Sequence, residues 1–309
     1  MKGIIYLCTL LALLPSCATN PVSKGHDFVL MSEKEELNLG KQLNVQYHQQ
    51  FVLLNDKDPL AVYVNEVGQK VAKVSDRPDL FYHFYVVDDA IINAFALPGG
   101  YIYIHRGLLN YLNSEAELAA VLAHEVGHVT ARHAVKRYTQ VKAYQVGMTM
   151  ASIFIPIQPV AGNLSNLLAA TFISGFGREQ ELQSDELALT YIPKAGYDPY
   201  AVAQLLNTLK RLEDLDKKEQ KDMGDQVREY HGAFASHPET KQRIADVEVK
   251  EQRLHQQGFI NHDRFLSKID GYPYGDSAKD GAVVGQRFLH PKLHLQLLFP
   301  KRWVIKNRP

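Results

Sequence analysis

The sequence predicts a mainly α, α+β fold, on three observations. Helix-start signatures recur along the chain: Ser32 with Glu35, Asp58 before Pro59, Ser114 with Glu117, and Asp198 before Pro199. Runs rich in aromatic and β-branched residues between Leu80 and Ile104 read as strands, and short alternating apolar runs in the last residues are β-like. Apolar residues make up 46% of the 309, enough to bury the core of one large domain or two modest ones.

Taken in order, a first helix starts at Ser32 and carries "EELNLGKQLNVQYHQQF". A second opens at Pro59, where the missing N–H costs nothing, and runs to about Val74. "LFYHFYVVDD" reads as a strand, and "IINAFALPGGYIYIHRG" as strand, Pro-Gly-Gly turn, strand. Behind Ser114, "EAELAAVLAHEVGHVTARHAVKRY" reads as one continuous helix. Residues 143–177 carry no charge, and Pro156, Pro159 and Gly162 divide them into two short helices. That stretch has three readings: buried helices over the preceding one, a membrane-contacting surface, or, least favoured by its prolines, a span. Further helices follow from Gly177, which carries "REQELQSDELALTYI", and from Pro199 to about Asp216. "DKKEQKDMGD" reads as an exposed loop or frayed end, and a last helix lies in "SHPETKQRIADVEVKEQRL". After about Gly258 the composition turns β-like, with frequent Gly and Pro. The domain reading is therefore a leader over 1–16, a flexible tether over 17–31, a main domain over 32–258 and a β-like tail over 259–309.

Lys2, the apolar run "IIYLCTLLALL" and "LPSC" make a secretory signal too short to span a membrane. "LPSC" also matches a bacterial lipobox, with cleavage before Cys17; an ordinary signal cleaved nearby is the alternative. Acylated Cys17 would anchor the chain, and Ala18, where an inner-membrane retention signal would place Asp, favours the outer membrane and a periplasmic location. Cys8 leaves with the leader, so no intramolecular disulfide forms. With 34 basic and 34 acidic residues, there is no electrostatic case for nucleic acid.

The chemistry lies in "HEVGH". Residues four apart share a helix face, so His124 and His128 can present two imidazoles to one Zn2+, with Glu125 beside its bound water. A catalytic zinc needs a third protein ligand and an open position. A third His ten residues after His124 is one solution, but that position is Ala134. "ELQSD" offers another: Glu181 as ligand, with Asp185 accepting from the far nitrogen of a ligand histidine. Glu179 faces another side of its helix from Asp185, and His133 points to a different face of its helix from His124 and His128.

"HEVGHVTARH", "ELQSD" and "SHPETKQRI" in this order, with "CATNPV" and "NAFALPGGYIYIHRGLL", resemble the gluzincin family of CAAX prenyl endopeptidases, heat-shock membrane peptidases and bacterial periplasmic lipoprotein peptidases, in its last branch. The resemblance spans about residues 17 to 260. It implies a zincin-type helical peptidase domain with a small sheet beside the HExxH helix. It also implies one zinc per chain on His124, His128 and Glu181, and Glu125 as the catalytic base. Asp185 matches an aspartate sometimes labelled a proton donor; orientation of a ligand histidine is the better physical role. Some relatives continue into a β-containing domain or into tetratricopeptide repeats. This chain has no such repeats, and its tail either begins that extra domain or packs on the peptidase.

Zinc would lower the pKa of its bound water and polarise the scissile carbonyl, while Glu125 takes the water proton and passes it to the leaving amine. His237 and Arg243 are candidate oxyanion donors. Read blandly, His237 starts a helix and Arg243 forms an ion pair; His237 could instead block the zinc as a switch. Asn93, Ala94 and Phe95 form either an edge strand that pairs with extended substrate or a plain hairpin. The expected function is a zinc endopeptidase acting on unfolded or stalled polypeptides at the outer membrane, in contact with its assembly machinery. The alternative is an assembly or chaperone-like lipoprotein with a structural or regulatory zinc site.

Overall fold

A computed structural model of the chain describes residues 17–22, 24–152, 175–222, 237, 241–254, 257–275, 281–300, 303 and 305. Residues 1–16, where a leader is expected, residues 153–174 of the charge-free stretch and the residues flanking His237 lie outside them.

Helix α1 (Glu33–Gln50) opens on the expected box: Ser32 Oγ accepts from Glu35 N, and Glu35 accepts from Ser32 N. Its buried stripe is Glu36, Gly40, Leu43 and Tyr47, spaced by four, three and four residues as one helical face requires. Helix α2 (Pro59–Lys73) is capped by the Asp58 carboxylate. The sheet beneath consists of β3 (His83–Val87), β4 (Ala94–Leu97) and β5 (Tyr101–His105), in the order β3-β5-β4. β5 pairs parallel with β3 and antiparallel with β4, placing Phe84 opposite Ile102 and Phe95 opposite Tyr103. Gly99 and Gly100 take positive φ (77° and 92°), which lets the Pro-Gly-Gly turn close.

Alternation splits the sheet's side chains between two cores. Phe84, Val86, Ala94, Ala96, Ile102 and Ile104 join the main core with α2 and the central helix. Phe95, Leu97 and Tyr103 face α1, where they pack on Leu43 and Tyr47.

After the short α3 (Arg106–Leu109) comes α4 (Glu115–Thr130), buried at every residue. Only half of its expected box forms: Ser114 Oγ accepts from Glu117 N, but the Glu117 carboxylate turns to Asn113 N and Nδ2. Both ends are tied by buried charge that suits the helix dipole. At the start, Glu115 accepts from the hydroxyls of Tyr63 (2.9 Å) and Tyr197 (2.8 Å) and from Arg264 and Asn261. At the end, Glu36 accepts from Arg77 and Arg132, each at 2.8 Å, and Arg77 also reaches Val129 O.

The single long helix expected here is two. Arg132 adopts φ 55°, and α5 (His133–Ser152) starts after it. Arginine is a good helix former, so propensity gives no reason for the break. It coincides with the ion pair to Glu36 and the bond from Arg132 to Met31 O (3.3 Å). Helices α6 (Arg178–Lys194) and α7 (Ala201–Asp222) flank α4, and α7 carries the charged stretch as helix as far as Asp222. Helix α8 (Lys241–Leu254) packs on both.

The two chain ends depart from expectation. The tether forms a backbone hairpin, β1 (Cys17–Thr19) with β2 (His26–Phe28), and Val29 and Met31 bury against Val135. The tail begins not as strand but as helix α9 (His262–Ile269), whose Phe265 is fully buried in the main core. The β-like character appears after it, in the antiparallel meander β6 (Ala282–Val284), β7 (Arg287–His290) and β8 (Leu295–Leu298). Among the described residues, no helix is long and apolar enough to cross a membrane.

Candidate metal centre

A helix buried on all sides cannot carry two histidines and a glutamate without partners. Those of α4 find them across a close contact with α6. Gly127 makes the contact possible: a Cβ there would lie 2.9 Å from Ser184 Oγ. Ser184 Oγ donates to His124 O at 2.9 Å, locking the two helices in register.

That register brings Glu181 onto the two imidazoles. His124 Nε2 lies 3.0 Å from His128 Nε2 and 3.3 Å from Glu181 Oε2, and His128 Nε2 lies 3.5 Å from Glu181 Oε1. His237 Nδ1 adds a fourth vertex, 3.2 Å from His124 Nε2 and 3.1 Å from both Glu181 oxygens. All four donors sit within 4.8 Å of one another. Ligands at zinc bond lengths of about 2.0–2.1 Å in a tetrahedron stand roughly 3.3 Å apart. The residues present therefore fit one Zn2+ in both donor type and spacing. Their charge agrees: burial opposes the Glu181 carboxylate, yet His237, His128 and His124 hold it well below its ordinary range. Burial likewise opposes charge on His124, and its bonds to Asp185 and Glu181 outweigh that and raise it to about 10.

Around the donors, Asp185 Oδ1 lies 3.0 Å from His124 Nδ1, the orienting contact expected of it. Arg243 holds Asp185 in a two-pronged grip, with Nε and Nη2 each 2.7 Å from a carboxylate oxygen. Its Nη1 faces Glu181 Oε2 at 3.2 Å and His237 O at 3.5 Å. Every nitrogen of this guanidinium is thus engaged, and Arg243 braces the Asp185–His124 pair while also lining the cavity beside Glu125. Glu179, the rejected competitor, is exposed.

Glu125 is 2% exposed, and its Oε2 has no hydrogen-bond partner among the described residues. Its Oε1 is 3.3 Å from His237 Nε2. Burial pushes the Glu125 carboxyl up, opposed by the positive charge of His237 and His124. An apolar cavity opens beside it, lined by Ala94, Leu108, Val121, Leu205, Leu206 and Leu209. Of the strand residues named as substrate-binding, Ala94 lines this cavity, Phe95 turns away into the aromatic core, and the Asn93 carbonyl accepts from His105 N. β4 is an outer strand of its sheet.

Three contacts escaped the sequence reading. Phe176 stacks on His128 with ring centroids 4.1 Å apart. Ser184 holds the helix register. His133, set aside because a continuous helix would turn it away, lies 2.8 Å from His128 Nδ1, because the break at Arg132 swings it back. The "SD" after "ELQ" was a signal for Ser184; nothing local announced the other two.

Comparison with known proteins agrees with this centre. Residues 60–251 match the model of Peptidase family M48. Mitochondrial metalloendopeptidase OMA1 of Schizosaccharomyces pombe is 33% identical over 198 residues, 63% of this chain and 54% of that protein. Beta-barrel assembly-enhancing proteases are similar too: that of Yersinia pestis is 33% identical over 161 residues (49% of this chain, 33% of that protein), and that of Escherichia coli K12 is 26% identical over 232 residues (72% and 45%). The chain spans between a third and just over half of the length of these relatives. With its donor set built on the HExxH helix and the family match covering most of the chain, this protein belongs to peptidase family M48.

Proposed function

We propose that the chain is a zinc-dependent endopeptidase of the bacterial periplasm, held at the outer membrane by lipidated Cys17 and cleaving misfolded or stalled outer-membrane proteins. The observation that carries this reading is the Glu125 carboxylate, buried beside four converging metal donors with one oxygen unpartnered among the described residues. His124, His128 and Glu181 would hold the ion. Bound there, zinc supplies a Lewis acid that acidifies water and polarises a peptide carbonyl. Glu125 accepts the proton of the attacking water at its free oxygen and returns it to the leaving amine. Asp185, braced by Arg243, keeps His124 Nδ1–H engaged so that Nε2 faces the ion. β4, an outer strand of its sheet, receives an extended peptide through main-chain bonds, and the cavity beside Ala94 takes an apolar side chain next to the scissile bond. Exposed apolar residues in extended chains distinguish unfolded substrates from folded ones. Relatives named for β-barrel assembly support outer-membrane substrates and contact with the assembly machinery.

His237 stands where a catalytic site needs an open position. In this reading it is a plug that keeps the enzyme latent until substrate displaces it. The same closed set of four donors favours a second reading, an assembly or chaperone-like lipoprotein with a structural zinc. Two variants separate them, assayed on an unfolded polypeptide with zinc content measured in parallel. For an enzyme, Glu125→Gln keeps zinc and loses cleavage by about 10^2-fold or more, and His237→Ala cleaves faster than the parent. For a structural site, His237→Ala loses zinc affinity and neither protein cleaves anything.

A further inference from the structure

The two imidazoles of the HExxH helix are supported differently. His124 has a carboxylate behind it, Asp185. Behind His128 stands another imidazole. His128 Nδ1 and His133 Nδ1 are 2.8 Å apart, with ring planes at 69°, and His133 Nε2 lies 3.0 Å from Gln183 Oε1. His133 is fully buried and is the first residue of α5. Gln183 lies on α6 between Glu181 and Asp185, so one helix supplies a ligand and backs both histidines.

Two facing nitrogens at that distance share one proton. If His128 is to offer the lone pair of Nε2 to a metal, its proton resides on Nδ1, and His128 Nδ1–H donates to His133 Nδ1. His133 must then carry its own proton on Nε2, and that N–H donates to Gln183 Oε1. The amide oxygen of Gln183 accepts only, so the chain of bonds runs in one direction and its end is set.

We infer that His133 is a positioning residue for the metal centre, which with Gln183 holds His128 in the tautomer and ring orientation that presents Nε2 to the ion. This rests on the reading of His124, His128 and Glu181 as ligands. The helix break at Arg132 acquires a purpose in this arrangement. On an unbroken helix His133 would lie five residues on from His128, about 140° around the axis, and could not reach it.

The test is zinc affinity, measured by competition with a chromophoric chelator on the full chain, with folding followed by circular dichroism. His133→Phe, which keeps a buried ring but accepts no hydrogen bond, is expected to weaken zinc by about 10–100-fold. His133→Gln, whose side-chain oxygen can still accept from His128 Nδ1–H, is expected to recover most of that loss. Gln183→Leu is expected to weaken zinc less than His133→Phe, and to add little to it in the double variant. A folded His133→Phe with zinc affinity within twofold of the parent overturns the inference, as does a His133→Gln that loses as much as His133→Phe. If His133→Phe does not fold, His133→Gln and Gln183→Leu decide: unchanged affinity in Gln183→Leu overturns it. A parent that binds no stoichiometric zinc overturns the reading of the centre itself, a result distinguishable from the others.

Discussion

Gly127→Ala sets two known effects against each other. Inside a helix, replacing Gly by Ala ordinarily stabilises by about 1 kcal/mol. Here the new Cβ would lie 2.9 Å from Ser184 Oγ, 3.2 Å from Ser184 O and 3.3 Å from Leu187 Cβ. The Ser184 hydroxyl cannot simply rotate away, because it donates to the buried carbonyl of His124. Abandoning that bond strands the buried Ser184 hydroxyl without its acceptor, at about 1–3 kcal/mol; pushing α6 outward costs about 1–3 kcal/mol of overpacking. The clash offsets or outweighs the helix gain, and the variant should be less stable than the parent by up to about 2 kcal/mol. A displaced α6 also carries Glu181 away from His124 and His128, so zinc affinity should fall with stability. Urea unfolding and chelator competition on the same samples check both. A variant about 1 kcal/mol more stable, with unchanged zinc affinity, would refute the claim that this contact sets the spacing of the centre.

Further outcomes follow from other parts of the fold. Glu251 accepts from Ala203 N at 2.8 Å while only 2% exposed, and burial raises its carboxyl from 4.5 to about 7. Between those values the unfolded chain gives up a proton that the fold retains, so stability is full below about pH 4.5 and falls as pH rises towards 7. Glu251→Gln should therefore be more stable than the parent at pH 8 by about 1–3 kcal/mol, with the gap closing at pH 4; a constant gap across pH would contradict this. Phe265→Ala should cost about 3–5 kcal/mol if α9 belongs to the main core, and a loss below 1 kcal/mol in urea unfolding would show that it does not. Arg243→Met leaves the buried Asp185 charge unpaired and should cost about 3–5 kcal/mol, with loss of zinc, whereas a merely peripheral ion pair would cost under 1 kcal/mol. Zinc at a hundredfold excess over its dissociation constant should stabilise the parent by about 2.7 kcal/mol. A melting temperature that ignores both zinc and chelator would argue against a folded-state site.

What the sequence by itself determined was whatever depends on near neighbours. Four-residue spacing put His124 and His128 on one face, the same spacing joined Glu181 to Asp185, and capping residues marked the starts of α1 and α2. Alternation marked the sheet, because a pleated strand sends successive side chains to opposite cores. Tertiary structure decided the rest, because it depends on groups far apart in the chain. His237 meets His124 across 113 residues, and no local pattern shows that its ring completes the donor set rather than starting a helix. Arg243 was legible as a charge near the site, but only its contact with Asp185, 58 residues away, shows that its nitrogens are taken. The break at Arg132 runs against its helix propensity and coincides with an ion pair to Glu36, 96 residues earlier. That long-range pairing, invisible to periodicity, turns His133 from a bystander on the wrong face into the support of His128.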